Sequence, residues 1–420
     1  MQIDLDRLRE DIEQTAEFGR VESTEGRGRT VRAGTEANRK AREYFIQRLE
    51  DAGLDVRIDA VGNIVGRWVP ESADADFPPV AAGSHLDSVP EGGIFDGPLG
   101  VYAALEAVRT MQEMGKEPER PVAVVCFTEE EGGRFAPGLL GSSVATGQRS
   151  IEEALALEDS EGTSFEDALE RIGFRGDGRI NAAGWAAWLE LHIEQSERLD
   201  TVGVPVGIVT DITGITHCEV SITGEANHAG TTPMGNRCDA LAAASEFVLD
   251  VERAGKEMVA GKSESAVGTV GSLSVRPNAT NVVPEEIVCG VDIRDVRYDS
   301  MNELVSRAQS SLARLETERG VQTTLEREFD VEPISMAERC REAARDAATE
   351  AGIKTMALHS GAAHDTMHIA RVTDAGMLFA PSRGGISHNP KEWTDWTDCE
   401  TATQVLAGTI VRLVGTSSET

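Results

Sequence analysis

The feature that most constrains this chain is a change in the order of its elements partway along. Up to about residue 211, helical and strand patterns alternate. An amphipathic stretch from about Asn38 to Ala52 precedes the strand-like DVRIDAVGNIVGRW, then strand PVAAGSHL, helix VYAALEAVRTMQEMG and strand PVAVVCF. Such alternation predicts a parallel or mixed sheet sandwiched by helices. Between about 212 and 329 the order becomes βαββαβ: strand THCEVSITG, helix NRCDALAAASEFVLDVERAG, strands SAVGTVGSLSV and EEIVCGVDIRDV, helix SMNELVSRAQSSLARLETERG and strand QTTLEREFDV. That is the split-βαβ arrangement, which makes a four-stranded sheet with two helices. Helix RCREAARDAATEAG, strand-like KTMALHS and GMLFAPS, and a helix around TATQVLAGTIVRL then restore α/β order. The expected fold class is α/β, with a discontinuous larger domain over 1–211 and 330–420 and a ferredoxin-like domain inserted at 212–329. At 420 residues the chain exceeds the usual size of a single domain, in keeping with this division.

Charge excludes one class of partner. The 72 acidic residues outnumber the 40 basic ones, only six residues are lysine, and the net charge is -32. Nucleic-acid binding needs a basic surface, and none is visible. An acidic, lysine-poor surface repels itself in dilute buffer and is screened in molar salt, which points to a salt-adapted, halophilic setting. The six cysteines are scattered without any close pair, as expected for reduced thiols in the cytoplasm. The first twenty residues form a charged amphipathic pattern, and no run of about eighteen apolar residues occurs, so neither a leader nor a membrane span is expected.

The polar residues that could carry chemistry follow apolar strand runs, where ligands gather in open α/β sheets. In GSHLDSVPEGGIFDGPLG, residues 83–100, His85 and Asp87 are two apart at a strand end, so both can point to one side. Asp87 could then accept the ring hydrogen that a metal leaves on His85. Asp96 follows a glycine-rich turn able to fold it back to the same point. In CFTEEEGGRF, Glu129, Glu130 and Glu131 repel one another unless a cation offsets them. WLELHIEQ places His192 in another apolar run, and PSRGGISHNPKEW places His388 in a Gly/Ser turn. Two histidines, a bridging carboxylate, a further carboxylate and a third histidine suit two borderline metals, zinc first, with manganese, cobalt or nickel also accepted. The inserted segment carries a second polar set: His228 in GEANHAGTTPM, Asn281 in NATNVVP, and Arg294 in VDIRD. An arginine there is either a solvated strand charge or a fork for a substrate carboxylate.

Taken in order, His85-x-Asp87, FDGPLGV, Glu130-Glu131-Gly-Gly-Arg-Phe, LELHIEQ, GEANHAGTTPM, NATNVVP, VDIRD, SGAAHDT and ISHNPKE resemble the hydantoinase/carbamoylase family of amidases. That family includes N-carbamoyl-L-amino acid hydrolases, β-ureidopropionases, allantoate amidohydrolases and ureidoglycolate amidohydrolases, within a larger group of two-metal aminoacylases and peptidases. The resemblance implies a two-metal aminopeptidase-like catalytic domain and a homodimer formed through the inserted domain. His85 and His192 would complete the shells of one metal and the other. Asp96 would bridge, Glu131 and His388 would serve the second metal, and Asp87 would stand behind His85. Glu130 matches the general base. Gln195, His228, Asn281 and Arg294 match substrate-binding positions, and His364 in SGAAHDT a further active-site histidine. His228 would also donate to the charge that develops on the reacting oxygen, in this subunit or from a partner subunit.

The chain departs from the family pattern at Ala363, where glycine is usual, and at Ser196-Glu197-Arg198, which replaces the usual glycine-proline after HIEQ. The expected substrate is a small ureido compound bearing a carboxylate: an N-carbamoyl-L-amino acid first, then allantoate or β-ureidopropionate. Peptide or acyl-amino-acid hydrolysis, and a non-catalytic binding role, are the rival expectations. Metals on one domain and substrate groups on the other would also require an open and a closed form.

Overall fold

The computed structural model describes residues 1–23, 25–135 and 138–415. The chain divides into two compact units, Met1–Thr210 with Ser335–Thr420, and Asp211–Ile334. The second boundary falls beyond residue 329, because strand Gln322–Val331 stays paired with Gly214–Thr223 as far as Val331 opposite Ile215.

The larger unit is built on a nine-stranded mixed sheet. From one edge the order is Ile334–Ser335, Val206–Ile212, Ala375–Ala380, Ala187–Ile193, Val80–His85, Val122–Phe127, Ile64–Trp68 and Asp55–Ile58, with Thr355–Ser360 pairing off this path on Val206–Ile212. The four central strands, Ala375–Ala380 to Val122–Phe127, run parallel. Every residue in them is buried, because helices cover both faces, and their sequences are accordingly continuous apolar runs. Antiparallel pairs flank them, including the hairpin Asp55–Ile58/Ile64–Trp68.

Helix Pro98–Glu113 follows the central strand Val80–His85 and is buried from Pro98 through Met111. Leu99, Val101, Tyr102, Leu105, Val108 and Met111 are fully enclosed, each contributing about 1.5–3 kcal/mol relative to exposure. The helix starts at Gly97 with φ +84°, where a Cβ would lie 2.6 Å from the His85 ring, so only glycine allows this entry. Proline at the first helical position fits, since no intrahelical bond needs its N–H. The turn therefore delivers Asp96 to the mouth of the sheet beside His85.

In the smaller unit the four long strands are antiparallel in the order Val267–Arg276, Glu286–Asp295, Gly214–Thr223, Gln322–Val331. Helices Ala240–Gly261 and Tyr298–Arg319 join them to give βαββαβ. Strand Glu286–Asp295 shows the two-residue period of a sheet covered on one face. Ile287, Cys289, Val291 and Ile293 enter the core with Phe247, Met258, Leu312 and Leu315, and Asp292 and Arg294 face the other way.

Candidate metal centre

The carboxyl ends of the four parallel strands bring the polar segments of the larger unit together. His85 ends one strand, His192 is next to last in another, Glu129–Glu131 follow a third, and the segment carrying His388 follows the fourth. Asp96 Oδ1 lies 3.5 Å from His85 Nε2 and 3.2 Å from His192 Nε2. Asp96 Oδ2 lies 3.6 Å from His388 Nε2, which is 3.3 Å from Glu131 Oε2. Two groups of three result, His85/Asp96/His192 and Asp96/Glu131/His388, each with its ligand atoms within 4.8 Å of one another. Both imidazoles of the strand ends thus fall in one group, where the expectation had divided them between two. The reason is that His85 and His192 stand on adjacent parallel strands and approach the same oxygen.

This donor set fits metal ions. His85 Nε2, His192 Nε2 and Glu131 Oε1 are buried without a hydrogen-bond partner, which is costly for polar atoms with no other occupant. Donors on a tetrahedral ion with bonds of about 2.0–2.1 Å lie roughly 3.3 Å apart, close to the separations seen. The other ring nitrogens are committed. Nδ1 of His85 lies 3.2 Å from the Asp87 carbonyl and Nδ1 of His192 lies 3.0 Å from the Ile193 carbonyl, so each donates there and leaves Nε2 as a lone pair. Asp87 therefore orients His85 through its backbone. Its Oδ1 is 3.8 Å from the ring, and its Oδ2 accepts the Glu131 N–H at 3.1 Å.

The three consecutive glutamates take different positions. Glu129, at φ +55°, turns away and accepts the N–H groups of Arg134 and Phe135, both at 2.7 Å, closing the loop after the strand; burial and then Asp87 push its carboxyl up to about 7. Glu130 is buried with Oε2 3.6 Å from His85 Nε2, and burial pushes its carboxyl well above the usual range against the pull of His85. Glu131 joins the second group, and contact with it raises His388 to about 9.

Gln195 lies against the same aspartate: its Nε2 donates to Asp96 Oδ2 at 2.8 Å and to Ser387 Oγ at 3.1 Å, and the Ser387 hydroxyl donates to Asp96 Oδ2 at 2.9 Å. His364 packs edge-on against His192 with ring centroids 4.6 Å apart, and its Nε2 lies 2.9 Å from Ser360 Oγ. Burial and then His192 hold its ring well below the usual pKa, and therefore neutral.

His228, Asn281 and Arg294 belong to the smaller unit. The short pair Asn227–His228/Val282–Val283 sets His228 beside the segment of Asn281, whose carbonyl accepts the Ala229 N–H at 3.0 Å. His228 Nδ1 accepts from the N–H groups of Gly230 and Thr231 at 2.9 and 3.2 Å, so the neutral ring carries its hydrogen on Nε2. Arg294 donates through Nε to Asp292 Oδ1 at 3.0 Å and through its terminal nitrogen to Oδ2 at 3.1 Å, and His217 Nε2 lies 2.9 Å from the same carboxylate.

Two buried ionisable groups that touch the backbone of Asp96 escaped the sequence reading. Arg29, in GRGRTV, donates to the carbonyls of Gly93, Leu86, Asp87 and Asp96. Glu392, in NPKEW, accepts the N–H groups of Phe95 and Asp96, and burial with Asp96 nearby pushes it up to about 8. No periodicity marks either residue; the only available signal was their closeness in sequence to glycine-rich and histidine-bearing turns.

Residues 81–412 match the model of peptidase family M20/M25/M40, and the chain belongs to that family. It is 38% identical over 406 residues to an N-carbamoyl-L-amino-acid amidohydrolase of Paenarthrobacter aurescens, covering 96% of each chain. It is 34% identical over 364 residues to an allantoate amidohydrolase of Bacillus subtilis, covering 86% of this chain and 87% of that one. A solved hydantoinase/carbamoylase family amidase from Burkholderia multivorans superposes with a TM-score of 0.92 at 34% identity, over 99% of this chain and 98% of that one. Within the M20 group the chain is thus a hydantoinase/carbamoylase family amidase, a metal-dependent hydrolase of carbon-nitrogen bonds in non-peptide amides.

Proposed function

We propose that the protein hydrolyses N-carbamoyl-L-amino acids, using two divalent ions held by His85, Asp96 and His192 and by Asp96, Glu131 and His388, with zinc first and manganese, cobalt or nickel as alternatives. The observation that carries the metal reading is the pair of donor groups sharing Asp96, with the His85 and His192 Nε2 atoms buried and unpartnered. A bound metal pair supplies a water of lowered pKa and polarises the carbonyl.

The chain's own residues do the rest. Glu130 takes the proton from water as its oxygen bonds to the carbamoyl carbon, and passes it to the amino-acid nitrogen as that carbon-nitrogen bond breaks. The products are the free amino acid and carbamate, which falls to carbon dioxide and ammonia. His228, with its hydrogen on Nε2, donates to the charge developing on the carbonyl oxygen. Arg294 and Asn281 hold the substrate carboxylate, Gln195 orients it beside Asp96, and the neutral His364 lines the site. The name of the Bacillus subtilis relative makes allantoate the second candidate, since it too presents a ureido group and a carboxylate.

The inserted unit is also proposed to form a homodimer. Val267–Arg276 is an edge strand with Val267 and Leu273 exposed, the kind of surface that pairs with a second copy. A reducing, salt-rich cytoplasm suits the six free cysteines and the charge of -32.

The decisive experiment, in molar KCl with zinc, manganese or cobalt, measures ammonia released from N-carbamoyl-L-amino acids, β-ureidopropionate and allantoate, and free amino acid released from a dipeptide. Turnover of the carbamoyl amino acids above the others is expected; turnover of allantoate above them would transfer the assignment to the second candidate. Cleavage of the dipeptide alone would sink the reading.

A further inference from the structure

The loop between His85 and Asp96 is held by two buried side chains, the Arg29 guanidinium and the Glu392 carboxyl, and neither makes an ion pair among the described residues. The Arg29 side chain is fully enclosed, and its guanidinium donates to the carbonyl oxygens of Leu86 at 2.9 Å, Gly93 at 3.2 Å, Asp96 at 3.2 Å and Asp87 at 3.3 Å. These four carbonyls span both ends of the loop. From the amide side, the buried Glu392 carboxylate accepts Phe95 N–H at 3.0 Å and Asp96 N–H at 3.1 Å. Gly93 leaves room for it, since a Cβ there would lie 2.1 Å from that carboxylate.

Asp96 is therefore gripped on both sides of its own backbone, its N–H by Glu392 and its C=O by Arg29. Its side chain is then aimed by Gln195 and Ser387. Burying ionisable groups is expensive, so two of them bound to the backbone of one residue need a reason. The reason is available in the geometry: Asp96 is the one residue common to both donor groups, and a shift in its backbone would misplace a ligand of each. Arg29 also sets a positive charge against the backbone of Asp87 and Asp96, where it offsets the repulsion among the neighbouring carboxylates.

We propose that Arg29 and Glu392 are positioning residues that fix the bridging aspartate and thereby set the affinity of both metal sites together. This rests on the metal reading given under the proposed function. Partners that orient metal ligands typically change affinity tenfold to a hundredfold when removed.

The test uses the full-length protein stripped with a chelator and titrated with Zn²⁺, and separately with Mn²⁺, in molar KCl. The variants are Arg29→Lys, which keeps the charge and loses the four-carbonyl fork, and Glu392→Gln, which keeps the shape and replaces a carboxyl oxygen by an amide NH2. Leu8→Ala, a fully buried core residue outside the site, controls for general loss of stability. Both site variants should weaken both binding steps by about tenfold to a hundredfold. Leu8→Ala should lower the melting temperature and leave metal affinity at the wild-type value. His388→Ala, which belongs to one group alone, should weaken only one step.

Wild-type affinity in Arg29→Lys and Glu392→Gln, or loss of one step only, would overturn the proposal. If Arg29→Lys does not fold, Glu392→Gln decides alone; if neither folds, their role is structural and the proposal falls. A wild-type protein that takes up no metal would instead remove the reading beneath it.

Discussion

The two units hold their polar residues in contrasting ways. In the larger unit His85 and His192 are 1% and 2% exposed, each ring has one nitrogen committed to a carbonyl, and the aspartate between them is fixed through its N–H, its C=O and its side chain. In the smaller unit His228, on a short strand pair, and Asn281, in the turn beside it, are exposed, and Arg294 leans on an Asp292 shared with a half-exposed His217. Rigid, buried placement suits a guest that stays, such as a metal ion. Exposed donors held by a few local bonds suit a guest that comes and goes. Loss of a residue should therefore act through different quantities in the two units: chemistry or metal in the larger, transition-state or substrate contact in the smaller.

The sharpest way to break this contrast is Glu130→Gln. It should lower kcat by about a hundredfold to ten-thousandfold, the usual worth of a general base, with bound metal near the wild-type amount by elemental analysis. Loss of metal instead would mean that Glu130 and Glu131 have exchanged roles. Next comes His228→Ala. Removing a donor to the developing oxyanion should cost about a hundredfold to a thousandfold in kcat with little change in KM, measured by ammonia release. A rise in KM alone would make His228 a binding residue and weaken the contrast.

Legibility in the sequence follows the same division. The segments of His85, Asp96, Glu131, His192 and His388 stood out because each follows an apolar strand run, and parallel strands bring their carboxyl ends to one edge. The βαββαβ order of the inserted unit was equally visible, since one-sided burial imposes a two-residue period that survives in EIVCGVDIRD. What stayed hidden depends on long-range packing. Arg29 looks like a surface arginine until its backbone bridge to Gly92 sets the side chain among the carbonyls of Leu86, Asp87, Gly93 and Asp96. Glu392 looks like a solvated turn residue until Phe95 and Asp96 reach it from nearly 300 positions away. Asp87 was legible as a partner of His85, but not that its backbone, rather than its carboxylate, would make the closer contact. The Glu131 N–H holds the other oxygen of that carboxylate, Oδ2.

A smaller effect should separate binding from chemistry within the inserted unit. Arg294→Ala should raise KM for carboxylate-bearing substrates by about tenfold to a hundredfold, the worth of a hydrogen bond to a charged group, with kcat changed much less. Asp292→Asn keeps the guanidinium but loosens its anchor, so it should raise KM in the same direction and by less. An unchanged KM in Arg294→Ala would take this arginine out of the site and leave it as a strand charge paired with Asp292.

The smallest effect concerns a partly buried histidine of the larger unit. His368 lies outside both donor groups, donates from Nδ1 to Gln148 at 2.7 Å, and is pushed down to about 4 by burial, then by Arg371 and Arg149. In the unfolded chain it would titrate near 6.5. Between those values the unfolded state binds the extra proton, so the stability that the neutral ring allows is present above about pH 6.5 and is lost as pH falls towards 4. His368→Gln removes this titration. At pH 4.5 the variant should therefore lose about 2 to 3 kcal/mol less stability than the parent relative to pH 7, read from denaturant melts at both values. Its ammonia release and metal affinity at pH 7 should match the parent. A fall in either would show that burial in this unit carries function beyond the two donor groups, and the contrast would then be one of environment alone.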